Sequence, residues 1–530
     1  MNKFFIALYD FFESRRALLY ALLGVLVVAM ASAALRLRFS ENITGFFPDG
    51  ERKAAAAFSN LKIKDKIAVM INAGENAADK ADEMMACADS LAARLNADTL
   101  FRRYAEVEAT FGSELADGSV ARLNQFNDFT YDASTSEING WWEGNYKAIA
   151  SCNVALDNLG AVKNEELRVK CVAQARFFRG FFYFNLVRAF GGVPLVTKVL
   201  QPGEYNQPRA TEEAVYQQII EDLTYAAEHL PTRQEWGAKE SGRATKGTAE
   251  GLLAKVYLFR QDYANVKKYT GQVIARGEYS LHRDYRDLFN PNSYYSDEVM
   301  LADQYLWGES TERNLESEYV KWQGIRGEMG WGMFSPSEAL DQAYEAGDPR
   351  RTATIFYDGE TLEGKGEIHF KKEVPPRANK KTIWPTGYWN ENSFAKQNCH
   401  LIFLRYADVL LMYAEACNEL GESREALDKL EMVRARARRT VHPADMTVGL
   451  PEITETGKEK LREIIWNERR IELALEGHRF FDLIRADKVV PGYAEKMMKA
   501  HGKTNFSIAK HATFFIPQKQ VDISQGVLKN

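Results

Sequence analysis

Five charged residues late in the chain have types and a spacing that could do chemistry. In the stretch Asn467 to Arg485, NERRIELALEGHRFFDLIR, the residues Glu468, Glu472, Glu476, Arg479 and Asp482 follow in steps of four, four, three and three. On a helix that spacing brings them to one face. Two carboxylates held this way could act as a catalytic acid–base pair. Stacked carboxylates also repel each other, by roughly 0.2–0.5 kcal/mol per pair in water, and so need cations nearby. Arg469, Arg470, Arg479 and Arg485 are close in sequence, and Arg405, Arg434 and Arg436 can come from neighbouring helices. That surplus of guanidinium groups favours a partly buried ion-pair lattice that locks helices together. His478 brings no metal chemistry, because HRFFD has no second histidine one turn away. Gly477 interrupts the stretch, which predicts two helices meeting at a corner.

The elements that must hold this cluster come from a chain of 530 residues, long enough for two or more cores. Hydrophobic content of 45% and charged content of 27% are ordinary globular values. A net charge of −5 with no basic stripe excludes bulk nucleic-acid affinity. The five cysteines, Cys87, Cys152, Cys171, Cys399 and Cys417, form no CxxC pair and read as small core residues. Neither metal-ligand spacings nor nucleotide loops occur, so no cofactor is expected.

From residue 99 onward the sequence reads as mainly helical. Expected helices are Trp141–Gly160, Glu166–Phe190, Thr211–Leu230, Thr245–Arg260, Ala264–Arg276, Leu401–Leu420 and Glu422–Arg439, several with a threonine cap or a glycine or proline stop. ATKGTAEGLLAKVYLFRQDYANV and YADVLLMYAEACNELGESREALDKL place small residues where helices cross, as tetratricopeptide hairpins do. Their spacing is irregular, which predicts a degenerate hairpin bundle. Between the hairpins, about 282–398, lies an irregular, loop-rich insert dense in Gly, Asn, Pro and aromatics. Sugar rings pack their C–H faces on aromatic rings and offer hydroxyls to planar polar groups. The insert supplies both kinds of partner: Trp307 with Asp303 and Gln304, Trp322 with Gln323 and Arg326, and Tyr388-Trp389 with Asn390 and Asn392. Trp331 and Trp384 complete the candidate glycan-binding set of Trp307, Trp322, Trp331, Trp384, Tyr388 and Trp389.

Residues 1–98 have a different character. An apolar run at about 17–35 is just long enough to span a bilayer, flanked by Arg15, Arg16, Arg36 and Arg38. Cleavage as a secretory signal at Ala31-Ser32-Ala33 is the rival reading. Asp10 and Glu13 in the leading segment favour an uncleaved membrane helix. A short β-like segment, Lys66 to Asn72, and a helical stretch, Asn76 to Leu95, follow as a small α/β fragment. This front part resembles the start of an RND/MMPL-type exporter and, taken alone, suggests an inner membrane.

From about Tyr104 to Asn530 the chain resembles the SusD/RagB family. The resemblance is carried by WWEGNYKAIASCNVALDNL, AQARFFRGFFYFNLVRAFGGVPLV, RATKGTAEGLLAKVYLF, LRYADVLLMYAEACNELG, NERRIELALEGHRFFDLIR and FFIPQKQVDISQGVLKN. It implies a SusD-like helical fold in which the late charged stretch is architectural. It also implies a non-catalytic protein at the surface of the outer membrane, which binds oligosaccharide and delivers it to a SusC-type TonB-dependent channel. An inner-membrane helix does not suit such a protein, so the front part is either a true fusion or two unrelated genes joined during sequence assembly, and the mismatch favours the second. Two further classes remain open on residues alone. One is a membrane-tethered helical-repeat scaffold that binds a protein. The other is a glycoside hydrolase, which needs two carboxylates about 5–10 Å apart in a groove.

Overall fold

The computed structural model describes residues 109–110, 121–303, 323–325, 328, 330, 332, 335–370, 376–384, 389–390, 393–397, 400–439 and 450–530. All of them fall within one compact unit, Ala81–Asn530. The segment expected to cross a membrane, 17–35, and the rest of the exporter-like stretch to residue 98 lie outside the described residues. Among the described residues no helix is long and apolar enough to cross a membrane.

Among the described residues, ten helices of eight residues or more form the frame. They are α1 (Ser136–Asn158), α2 (Glu165–Phe190), α3 (Glu212–His229), α4 (Lys246–Phe259), α5 (Tyr263–Arg276), α6 (Tyr406–Glu419), α7 (Ser423–Arg439), α8 (Lys458–Glu472), α9 (Arg479–Val489) and α10 (Tyr493–Ala500). Their starts follow from local chemistry. The side chains of Asn164, Thr211, Thr245 and Asp262 each accept a hydrogen bond from a backbone N–H of the first turn of α2, α3, α4 and α5. Successive helices from α1 to α7 pack on one another, and α8 returns onto α6, so the bundle is built of hairpins. One continuous apolar core joins them, with Phe177, Phe182, Tyr183 and Phe184 of α2 at its centre. Cys152, Cys171 and Cys417 are buried free thiols, as small core residues should be. Gly180 shows why the crossings need small residues: a Cβ there in α2 would stand 3.0 Å from the Leu223 side chain of α3.

Leu401–Arg405 departs from expectation. It is not the first turn of a helix but strand β10, paired antiparallel with β2 (Val299–Asp303). The apolar run Leu401–Leu404, one residue ahead of YADVLL, is too short to show a period that separates strand from helix. This two-stranded neck closes the insert. Among the described residues inside it, the strands are short: β3 (Ser335–Pro336, paired with β1, Ala109–Thr110), β4 (Ile355–Tyr357), β5 (Thr361–Leu362), β6 (Gly366–Glu367), β7 (Arg377–Asn379), β8 (Trp389–Asn390) and β9 (Ser393–Gln397), with short helices at Glu338–Asp341 and Pro349–Thr354. β4 pairs with β7, β5 with β6, and β8 with β9. Two small apolar clusters support them, one around Phe356 and Ile383, the other around Tyr285, Phe289 and Trp384.

Candidate functional site

The charged stretch forms the corner expected from Gly477. Helix α8 ends at Glu472, the backbone turns through positive φ at Leu475 (62°) and Gly477 (80°), and α9 begins at Arg479. Only Glu468 and Glu472 therefore share a helical face, while Glu476 projects from the turn. Arg479 and Asp482 sit on the next helix, and Asp482 belongs to a second network.

Glu472 is fully buried and receives three guanidinium groups. Its Oε1 accepts from Arg405 at 2.6 Å and from Arg436, and its Oε2 from Arg350 at 3.1 Å. Glu476 accepts from Nε and Nη2 of Arg405, both at 2.8 Å, and from Nζ of Lys381 at 2.8 Å. Glu468 accepts from Arg350 and, at 2.9 Å, from Arg434. Glu298, at the start of the neck, binds Arg405 and Arg436 at 2.8 Å each. In the second network Asp408 binds Lys255 at 2.8 Å and Arg469 at 2.7 Å, while Arg485 bridges Asp482 at 2.7 Å and Glu415 at 2.9 Å. Burial alone would raise Glu476, but Arg405 and Lys381 hold its carboxyl down at about 2. Glu472 is likewise held low against its burial, by Arg436, Arg405 and Arg350. Carboxylates so buried and so fully engaged have no free oxygen for a substrate. The cluster is a lattice, and its partners come from the helices and from the insert alike.

Two histidines give the frame an acid sensitivity with a definite sign. Burial pushes His400 down to about 3. Burial, together with the Lys255 ammonium 3.2 Å from its Nδ1, pushes His478 well below its ordinary value. Both stay neutral in the folded protein while the unfolded chain protonates them near pH 6.5. The unfolded state then binds more protons, so stability falls as pH drops below about 6.5, by about 1.4 kcal/mol per pH unit for each histidine. The depressed carboxylates contribute above about pH 4.5 and add a steeper loss below it. Urea midpoints measured from pH 8 to 4 should be level above pH 7 and slope downward below 6.5. A level profile from pH 7 to 5 would show that these rings are not held neutral.

The expected aromatic set divides. Trp307, Trp322, Trp331 and Tyr388 lie outside the described residues. Trp389 opens β8, its backbone paired opposite Gln397. Trp384 is corrected by its surroundings: it is 5% exposed and packs beside Tyr285 and Phe289. The Arg286 guanidinium lies 3.7 Å from its ring centre, and its indole N–H donates to the Lys381 carbonyl at 3.2 Å. A ring covered in this way is a core ring, not a platform for sugar. Two of the expected polar partners, Asp303 and Gln323, are also interior, and Gln323 accepts from Asn379. Nearby, Tyr294 stacks on His400 at 3.7 Å, and Tyr295 is 48% exposed.

The sequence did not mark Glu298, Arg350 and Lys381, which tie the insert to the frame, or Arg286, which braces the insert from within. Arg286 donates to the carbonyls of Lys380 and Ile383. Each is a single charge in irregular sequence, without a period to mark it.

This helical fold has known counterparts. The SusD family model matches residues 297–530, and the model described as "starch-binding associating with outer membrane" matches residues 63–258. The second match begins inside the stretch assigned to an exporter-like fragment. SusD-like protein P2 of Formosa agariphila is 31% identical over 434 residues, covering 76% of this chain and 83% of that protein. A solved structure of a laminarin-binding SusD-like protein superposes with a TM-score of 0.70 at 25% identity, covering 85% of this chain and 98% of its own. A SusD homologue from Bacteroides thetaiotaomicron gives a TM-score of 0.71 at 24% identity, covering 86% and 97%. The chain belongs to the SusD-like family.

Proposed function

We propose that this protein binds oligosaccharide at the bacterial outer membrane and delivers it, uncleaved, to a SusC-type TonB-dependent channel. The observation that carries this reading is the match along most of the chain to a SusD-like protein described as laminarin-binding. The outer-membrane association in the description of the matching family model supports the location. The chemistry of the insert supports the ligand class. Trp307, Trp322, Trp331, Tyr388 and Trp389 supply the flat apolar faces that pyranose rings require, with Asn390 and Asn392 as hydroxyl partners.

Binding is tested by the retardation of purified protein in native gels cast with laminarin, followed by an array of algal, plant and host polysaccharides. Retention by at least one polysaccharide, with no reducing ends released over hours, is the expected result. Sustained release of reducing ends makes the protein a glycoside hydrolase. Silence across the array removes the carbohydrate reading.

A further inference from the structure

The insert's last arm, residues 382–404, carries Trp389 and returns to the frame at β10. Both of its stems end on one carboxylate. Before the arm, Lys381 is 3% exposed and donates from Nζ to Glu476 Oε1 at 2.8 Å and to the Ala474 carbonyl at 2.7 Å. After it, Arg405 donates from Nη2 to the same Oε1 at 2.8 Å and from Nε to Oε2 at 2.8 Å. The turn between is fixed as well. Asn379 Oδ1 accepts from the Lys381 N–H at 3.1 Å, the Thr382 hydroxyl donates to the Asn379 carbonyl at 2.9 Å, and Arg286 grips the carbonyls of Lys380 and Ile383 while lying on the Trp384 ring. Phe289 and Tyr285 flank the Lys381 ammonium at 4.5 and 5.2 Å from their ring centres.

A loop whose two ends meet on one buried anion has a fixed base. We infer that Glu476, Lys381 and Arg405 form a clamp that positions the β8–β9 arm, so that Lys381 and Arg286 are positioning residues for ligand binding although neither need touch the ligand. The consequence for affinity rests on the carbohydrate reading above, whereas the clamp itself does not.

Lys381→Met tests it. The methionine keeps much of the side-chain volume, and Glu476 retains its two bonds from Arg405, so the helical frame stays folded. Hydrogen exchange without ligand should quicken at least tenfold in peptides covering 384–397 and stay unchanged in α2, α4 and α6. Affinity for the best polysaccharide ligand should fall about tenfold under conditions where the variant keeps the wild-type circular dichroism spectrum. Arg286→Gln, which removes the carbonyl grip without touching the buried anion, should quicken the same peptides. Unchanged exchange at 384–397 in both variants overturns the clamp, whatever the wild type binds. Wild-type protein that binds no polysaccharide, with exchange quickened in the variants, leaves the clamp standing and removes only the carbohydrate reading.

Discussion

Glu472→Ala should cost the folded protein about 4 kcal/mol, the range measured when one partner of a buried ion pair is removed. The side chain is fully buried and is shared by Arg350, Arg405 and Arg436. Deleting it leaves three guanidinium groups near one another in the interior with one carboxylate fewer. Their other partners, Asp348, Glu468, Glu476 and Glu298, remain but stay where they are. Against a typical total stability of about 5–15 kcal/mol, that loss moves a urea midpoint decisively and brings many preparations close to unfolding. Glu345→Ala is the natural control. It also removes a carboxylate from this network, at Arg434, but the Glu345 side chain is 41% exposed, and screening limits its effect to about 1 kcal/mol or less. Equal losses in the two variants would mean that the lattice carries no special weight.

The second large effect is on ligand affinity. Replacing Trp307 or Trp389 by alanine should weaken polysaccharide binding by about thirtyfold each, about 2 kcal/mol, the size of an aromatic hot spot. Neither change should lower the melting temperature much. Trp384→Ala should do the reverse. Its ring is interior, packed among Tyr285, Phe289 and Ile402 beneath Arg286, so its loss opens a cavity and costs about 3–5 kcal/mol of stability. Titrations of the folded variants against the ligand that retards the wild type separate the two roles. Unchanged affinity in both the Trp307 and Trp389 variants would remove the proposed platform.

The frame was readable because helices announce themselves locally. The Thr211 cap, the turn at Asp262-Tyr263 and the 3.6-residue spacing of apolar residues place α3, α4 and α5 to within a residue or two of their ends. The corner after α8 was readable from Gly477. Arg405, Arg434 and Arg436 answer its carboxylates as expected, although Arg405 comes from strand β10 and not from a helix. Other features left no mark in one dimension. Leu401–Arg405 gave no alternation because strand and helix alike are buried there. Lys381, Arg350 and Glu298 meet the lattice only through long-range packing, and a lone charge in a loop looks the same whether it faces water or a buried partner. Trp384 teaches the same lesson. Its neighbours in sequence resemble those of the other insert tryptophans, and only the approach of Arg286 and Phe289 makes it a core ring.

The central claim is that a rigid helical frame, pinned by buried ion pairs, presents the insert to carbohydrate. The most direct measurement is hydrogen exchange across the whole protein, with and without saturating laminarin or the best ligand of the array. Slowed exchange concentrated between residues 299 and 405, with α1 to α5 unaffected, is the predicted result. Protection confined to the helical hairpins would contradict it.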